Sequence, residues 1–120
     1  MKRMKMRVAD YIIERIHQLG VEHVFTITGG GAMYLNDAVA NHPKMTAICN
    51  HHEQASSMSA VGYGKYSGKM GVAMVTTGCG GTNTVTGVLE AWQDNLPTLF
   101  ISGQVNKSQA TYNIDLPLRQ

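Results

Sequence analysis

The stretch GVAMVTTGCGG, residues 71–81, decides the fold class of this chain. Its first half, Gly71 to Val75, is a continuous apolar run, which is typical of a strand buried on both faces of a parallel sheet. Its second half is a glycine-rich turn that leads into an apolar helical pattern from about Thr82 to Trp92. A buried strand, a tight turn and a helix are the repeating unit of an α/β domain.

Apolar periodicity on either side of this stretch predicts more elements in the same alternating order. The helices are predicted at residues 8–19, 32–40 and 53–66, and the strands at residues 21–27, 45–49 and 97–102.

Short connections between alternating strands and helices require the strands to run parallel. The predicted fold class is therefore α/β, a parallel sheet flanked by helices on both faces. We expect the strand at residues 97–102 to be buried like the one at residues 71–75. The helix at residues 53–66 is rich in small side chains, and it offers Ala55, Met58, Ala60 and Val61 for close packing.

Length and composition indicate one domain that does not stand alone. The chain has 120 residues, 43% of them hydrophobic, which suffices for one core. Charged residues make up only 15%, against about 25% in ordinary soluble domains. This deficit suggests that a partner or further domains cover part of the surface.

Charge and cysteine usage exclude several classes of protein. The net charge of +2 is mild, and the basic residues near the start are not interleaved with aromatics, so we expect no nucleic-acid partner. Asp10, Glu14 and Arg15 interrupt the segment that a signal peptide would need to be apolar. No apolar run approaches the length of a membrane span, about 18 residues. Cys49 and Cys79 form no metal or disulfide motif, and a reducing cytoplasm fits best.

Four loops follow the predicted strands, at the sheet edge where α/β proteins bind ligands. The first holds Gly29, Gly30 and Gly31, which could bring backbone close to a ligand or simply form a tight turn. The third holds Cys79, which is either a nucleophile or, as we favour, a small packed thiol. The fourth ends in Gln104 and is uninformative alone.

The second loop leads directly into Glu53. A carboxylate at a helix start is stabilised by the helix dipole, so simple capping explains it as well as catalysis does. The HEQAS sequence at residues 52–56 approaches the metalloprotease pattern HExxH, but Ser56 stands where the second histidine is required. No metal pair is therefore predicted on this helix.

Short motifs occur in a fixed order between Val8 and Val105, and the ordered series is far more specific than any one of them. They are glycines 29–31, HEQA at 52–55, GY at 62–63, GV at 71–72, TTGCG at 76–80, Asn83, DNLP at 94–97 and GQ at 103–104. In order and spacing the series resembles the pyrimidine-binding domain of thiamine-diphosphate enzymes, in the acetolactate synthase and pyruvate decarboxylase group. Cys79 departs from this pattern, because a proline is usual there, and Thr28 also replaces a proline.

The resemblance implies a role for Glu53. In such enzymes a glutamate hydrogen-bonds N1′ of the aminopyrimidine and favours the imino tautomer, whose nitrogen then takes the C2 proton of the thiazolium. The resemblance also implies that the glycine turn faces the reacting end of the cofactor or the substrate across a subunit interface, and that Gln104 lies at the active-site edge. The cofactor-binding residues implied are Gly29, Gly30, Gly31, Thr76, Gly80 and Asn83.

The resemblance implies that another domain completes the site. Such enzymes bind the diphosphate and Mg²⁺ through a Gly-Asp-Gly stretch in a pyrophosphate-binding domain, and no Gly-Asp-Gly occurs here. We therefore expect residues 1–105 to be the pyrimidine-binding domain and residues 106–120 to be an interdomain connection or a truncated tail. The expected partners are that second domain, in the same or another chain, and further copies in a dimer or tetramer. FAD is compatible with the resemblance, but no residue indicates it.

The expected function is decarboxylation of a 2-keto acid followed by C–C bond formation, as in acetolactate synthase. One alternative is a 2-keto acid decarboxylase or its split-subunit form, although residues 105–120 lack the histidine pair that decarboxylases of this kind carry. Another is a non-catalytic interaction module. A dinucleotide-binding domain is disfavoured because the GxGxxG fingerprint is missing.

Overall fold

The computed structural model describes residues 5–110, and four strands and five α-helices alternate along this part of the chain. Two 3₁₀ turns, Gly30–Ala32 and Lys107–Gln109, lie among them. The elements are α1 (Val8–Gln18), β1 (His23–Thr26), α2 (Met33–Asn41), β2 (Thr46–Cys49), α3 (Glu53–Ser67), β3 (Gly71–Val75), α4 (Cys79–Thr82), α5 (Val85–Gln93) and β4 (Thr98–Ser102).

All four strands are parallel and lie in the order β2-β1-β3-β4. Side chains alternate between the two sheet faces, so each face has its own core. On one face Val24 and Met74 pack with Ile13 of α1 and Val39 of α2. On the other face Phe25, Ala60 and Ala73 form a smaller cluster below α3. The prediction of a parallel α/β sheet with helices on both faces is therefore confirmed.

Small residues allow α3 to approach both the sheet and α5 closely. A side chain on Gly71 would collide with the carbonyl oxygen of Ala60, and one on Gly87 would lie 2.5 Å from Cβ of Ser57. Gly68 caps the C-terminus of α3 with a φ of 68°, a left-handed conformation that glycine adopts more readily than other residues. The start of α3, and with it Glu53, is consequently held by close packing along the helix.

Two expectations about burial were wrong. Ala60 and Val61 are buried as expected, but Ala55 and Met58 are exposed, because Ser56, Ser57 and Gly64 supply the inward face of α3. The residues of β4 from Thr98 to Ile101 are only partly buried, whereas β3 is buried throughout. The reason is topological: within residues 5–110, β4 pairs with β3 alone and forms one edge of the sheet.

The helix predicted from Thr82 to Trp92 is instead two helices. The glycine-rich turn is itself helical from Cys79 onward, and α5 begins only at Val85. At the junction, Oγ1 of Thr84 donates to the carbonyl oxygen of Gly81 at 2.6 Å. This bond satisfies a backbone group where the helix is interrupted.

Candidate functional site

The four loops that follow the strands meet at the carboxyl edge of the sheet. Two of them are joined directly, since the backbone N–H of Gly31 donates to Oγ1 of Thr76 at 3.1 Å. A Cβ on Gly29 would lie 2.5 Å from Cβ of Thr76, and one on Gly103 would collide with the carbonyl oxygen of Gly31. The glycines therefore let three loops pack more closely than side chains would permit.

Glu53 lies at the start of α3 and contacts the loop that follows β3. Its Oε2 accepts a hydrogen bond from Nδ2 of Asn83 at 2.9 Å, and both residues are half-buried. This bond, together with one from the backbone N–H of Glu53 and the nearby charge of His52, lowers the pKa of Glu53 below its usual value, although burial opposes the shift. The carboxylate is thus held ionised and oriented.

The other oxygen of Glu53 lies on the side of Gly80, a buried residue. A Cβ on Gly80 would lie 3.8 Å from Oε1 and 2.8 Å from Cγ2 of Thr76. Gly30 is open, since a Cβ there would meet nothing within 4 Å. A carboxylate oriented at the carboxyl edge of the sheet can accept a hydrogen bond from a protonated ring nitrogen, so Glu53 is chemically compatible with an aminopyrimidine.

Gln104 lies at the rim of this site. Its Oε1 accepts hydrogen bonds from Oγ1 of Thr77 at 2.7 Å and from the backbone N–H of Val105 at 2.8 Å. Both bonds use the oxygen, and the side chain is exposed. The structure thus brings all the predicted site residues to one edge of the sheet, with Glu53, Gly80 and Asn83 in contact and Gln104 peripheral.

Two further residues, His52 and Thr77, contribute to the site and were not predicted from the sequence. His52 caps α3, because its Nδ1 accepts the backbone N–H of Gln54 at 3.1 Å. An N-cap signal could have revealed this, but histidine is not among the usual caps. The expectation that Cys79 is a packed thiol was wrong, because Cys79 is exposed.

No group of three or more histidine, cysteine or acidic side chains within residues 5–110 is arranged to hold a metal ion. In the same part of the chain, no helix is long and apolar enough to cross a membrane.

The fold and the site define a class. The chain belongs to the thiamine pyrophosphate enzyme family, since residues 6–116 match the family's N-terminal TPP binding domain. Its relatives include several acetolactate synthases. The large subunit from Lactococcus lactis is 39% identical over 109 residues, which are 88% of this chain and 19% of that protein. The large subunit from Haemophilus influenzae is 39% identical over 101 residues, 84% of this chain and 18% of the relative.

A plant relative gives the same match. The chloroplastic acetolactate synthase of Arabidopsis thaliana is 37% identical over 97 residues, which are 81% of this chain and 14% of that protein. The chain therefore spans less than a fifth of the length of these relatives.

Proposed function

We propose that this chain supplies the pyrimidine-binding half of the active site of an acetolactate synthase-like enzyme. In this proposal, residues 1–105 are the pyrimidine-binding domain, and residues 106–120 lead toward the next domain. The described part of that segment, residues 106–110, contains only the turn Lys107–Gln109, and residues 111–120 lie outside the described residues. The single observation that carries the proposal is the hydrogen-bonded Glu53–Asn83 pair at the carboxyl edge of the sheet.

Glu53 acts as the carboxylate that holds a proton at N1′ of the aminopyrimidine. A lowered pKa keeps Glu53 ionised in the free protein, so one proton must be taken up from solvent when the cofactor binds, and Glu53 and N1′ then share it. Thr76, Gly80 and Asn83 lie near the aminopyrimidine, and Gly29, Gly30 and Gly31 face the reacting end of the cofactor or substrate. Thiamine diphosphate supplies the carbanion chemistry when bound, and a 2-keto acid such as pyruvate is the substrate.

In this proposal a second domain supplies the diphosphate and Mg²⁺ sites, since the sequence has no Gly-Asp-Gly stretch. An exposed apolar surface on α5 supports such a partner: Val85 is 60% exposed, Leu89 51% and Trp92 79%. Apolar surface of this kind marks protein–protein contacts. Val85 at the start of α5 follows Asn83 by two residues, so this end of α5 is the one nearer to Glu53. We propose a homodimer or larger oligomer built on this surface.

The proposal also covers the location of the protein, its cofactors and the two alternative functions. The unpaired thiols of Cys49 and Cys79 favour a cytoplasmic location, and FAD is not required by any contact described. A decarboxylase is the weaker alternative, because the named relatives of this chain are acetolactate synthases. The non-catalytic module is weaker still, because it leaves the hydrogen-bonded Glu53–Asn83 pair at the ligand-facing edge without a use.

Replacing Glu53 by Gln in the assembled enzyme tests the proposal. The glutamine amide would donate as well as accept and could not exchange a proton, so we expect kcat for acetolactate formation from pyruvate to fall about 10²- to 10⁴-fold. The matched control is Glu22→Gln, because Glu22 is an exposed carboxylate that pairs with Lys69 before β1, away from the carboxyl edge. Unchanged turnover in Glu53→Gln would favour the non-catalytic module.

A further inference from the structure

The side-chain amide of Asn83 is hydrogen-bonded to Glu53. Its Nδ2 donates to Oε2 of Glu53 at 2.9 Å. One N–H of this amide is therefore committed to the carboxylate. Through this bond Asn83 acts on a bound ring by way of Glu53.

The backbone fixes Asn83 in place. Its N–H donates to the carbonyl oxygen of Cys79 at 2.9 Å, and its φ and ψ of −65° and −16° are helical. It therefore sits on the last turn of α4, at the junction with α5, and reaches across to the start of α3. A side chain anchored in this way can set the rotation of the Glu53 carboxylate.

The two oxygens of Glu53 have different surroundings. Oε2 is bound by Asn83, whereas Oε1 lies on the side of Gly80, 3.8 Å from where a Cβ would be. We propose that Asn83 is a positioning residue that fixes Oε2 of Glu53, so that Oε1 is the atom presented to the aminopyrimidine. This inference rests on the proposed function and assigns the contact to one atom of Glu53.

The same contact stabilises the ionised carboxylate, and its loss has a definite sign. The bond from Asn83 is the largest contribution that lowers the pKa of Glu53, so removing Asn83 must raise that pKa. His52 is the charged neighbour that acts on Glu53, and His51 precedes it in the chain. Thr76, Gly80 and Asn83, on the facing loop, carry no charge.

The first test replaces Asn83 by Ala and by Asp in the assembled enzyme. We expect kcat to fall about 10- to 100-fold, because the carboxylate loses its orientation. The acidic limb of the pH–rate profile should move to higher pH, further for Asn83→Asp, which brings a like charge. In the cofactor-free protein, ¹³C NMR of the labelled Glu53 carboxyl should show its titration moving in the same direction.

The matched control is Asn41→Asp. Asn41 also donates its amide to a carboxylate, Oδ1 of Asp37 at 2.8 Å, but it does so on the exposed surface of α2. This variant should leave the Glu53 titration and the pH–rate profile unchanged. An unmoved Glu53 titration and pH profile in Asn83→Ala would overturn the inference, while loss of turnover in Glu53→Gln would still support the proposed function.

A second test addresses Oε1. Gly80→Ala places a methyl group 3.8 Å from Oε1, and Thr76→Ser removes the methyl group that would otherwise clash at 2.8 Å while keeping its hydroxyl. In the Thr76→Ser background, we expect Gly80→Ala to weaken thiamine diphosphate binding about tenfold. Equal affinity with and without the Gly80→Ala substitution would show that Oε1 is not the presented atom.

Discussion

At the scale of single residues, the site depends on Gly103, because a methyl group there would collide with the carbonyl oxygen of Gly31. Backbone cannot move aside as the end of a flexible side chain can. We therefore expect Gly103→Ala to lower the free energy of unfolding by about 1–3 kcal/mol. Gly30→Ala is the matched control and should change it by less than about 0.5 kcal/mol, because nothing lies within 4 Å of its Cβ position.

Urea denaturation followed by circular dichroism measures both variants. Equal unfolding free energies for Gly103→Ala and Gly30→Ala would contradict the close approach of the two loops.

The sequence predicted which residues lie at the site but not which of them are hydrogen-bonded to one another. Glu53, Gly80 and Asn83 follow strand ends, and parallel strands bring such residues to one edge. The bond between Asn83 and Glu53 depends on the short helix α4, which turns Asn83 back toward α3, and no periodicity predicts a four-residue helix rich in glycine. The contact of Thr77 with Gln104 could not be predicted from the sequence either, because it joins two loops 27 residues apart.

At the scale of elements, two glycines on the α3–α5 side of the sheet should respond in opposite directions to the same substitution. Gly87 of α5 faces Ser57 of α3, and a Cβ there would lie 2.5 Å from Oγ of Ser57. We expect Gly87→Ala to lower the free energy of unfolding by about 1–3 kcal/mol. Gly62 lies within α3 with nothing near its Cβ position, so Gly62→Ala should raise it by about 0.5–1 kcal/mol.

Thermal unfolding of the two variants checks this expectation through the sign of each shift in Tm. A rise in Tm for Gly87→Ala would show that α3 and α5 are not packed as closely as described.

Element types were predictable from the sequence because each strand or helix carries its own period. Strand β3 was predicted with its observed bounds, since its five apolar residues lie between Met70 and the threonines. The break between α4 and α5 was missed, because it arises from a hydrogen bond of the Thr84 side chain rather than from a change of period. The partial exposure of β4 was also missed, because burial depends on neighbouring strands that local sequence does not specify.

At the scale of the whole molecule, the features that indicate a missing partner lie on one side of the sheet. The edge strand β4, the exposed Trp92 and an apolar groove of about 460 Å³ between them share the side of the sheet that carries α5. The groove is lined by Val88, Trp92 and Phe100, among others. The low charged fraction of the sequence, 15%, had already suggested a covered surface. A partner that covers this side would bury apolar area.

We expect residues 1–120 alone not to bind the cofactor. Glu53 and its neighbours contact only the pyrimidine end of the cofactor in the proposed site, and no metal-binding cluster lies within the described residues. Most of the binding energy for a diphosphate with Mg²⁺ comes from charge and metal contacts. We therefore expect calorimetric titration with thiamine diphosphate and Mg²⁺ to give no saturable heat with residues 1–120 alone, and a saturable isotherm with the assembled enzyme.

Circular dichroism of the isolated chain is the necessary control, because an unfolded chain would also fail to bind. A folded chain that binds thiamine diphosphate alone would contradict the division of the site between two domains. A folded chain that binds only when the second domain is added would support it, and Glu53→Gln in the same mixture would then separate the pyrimidine contact from the diphosphate contacts. Because the substitution leaves the second domain intact, the affinity should weaken without being abolished.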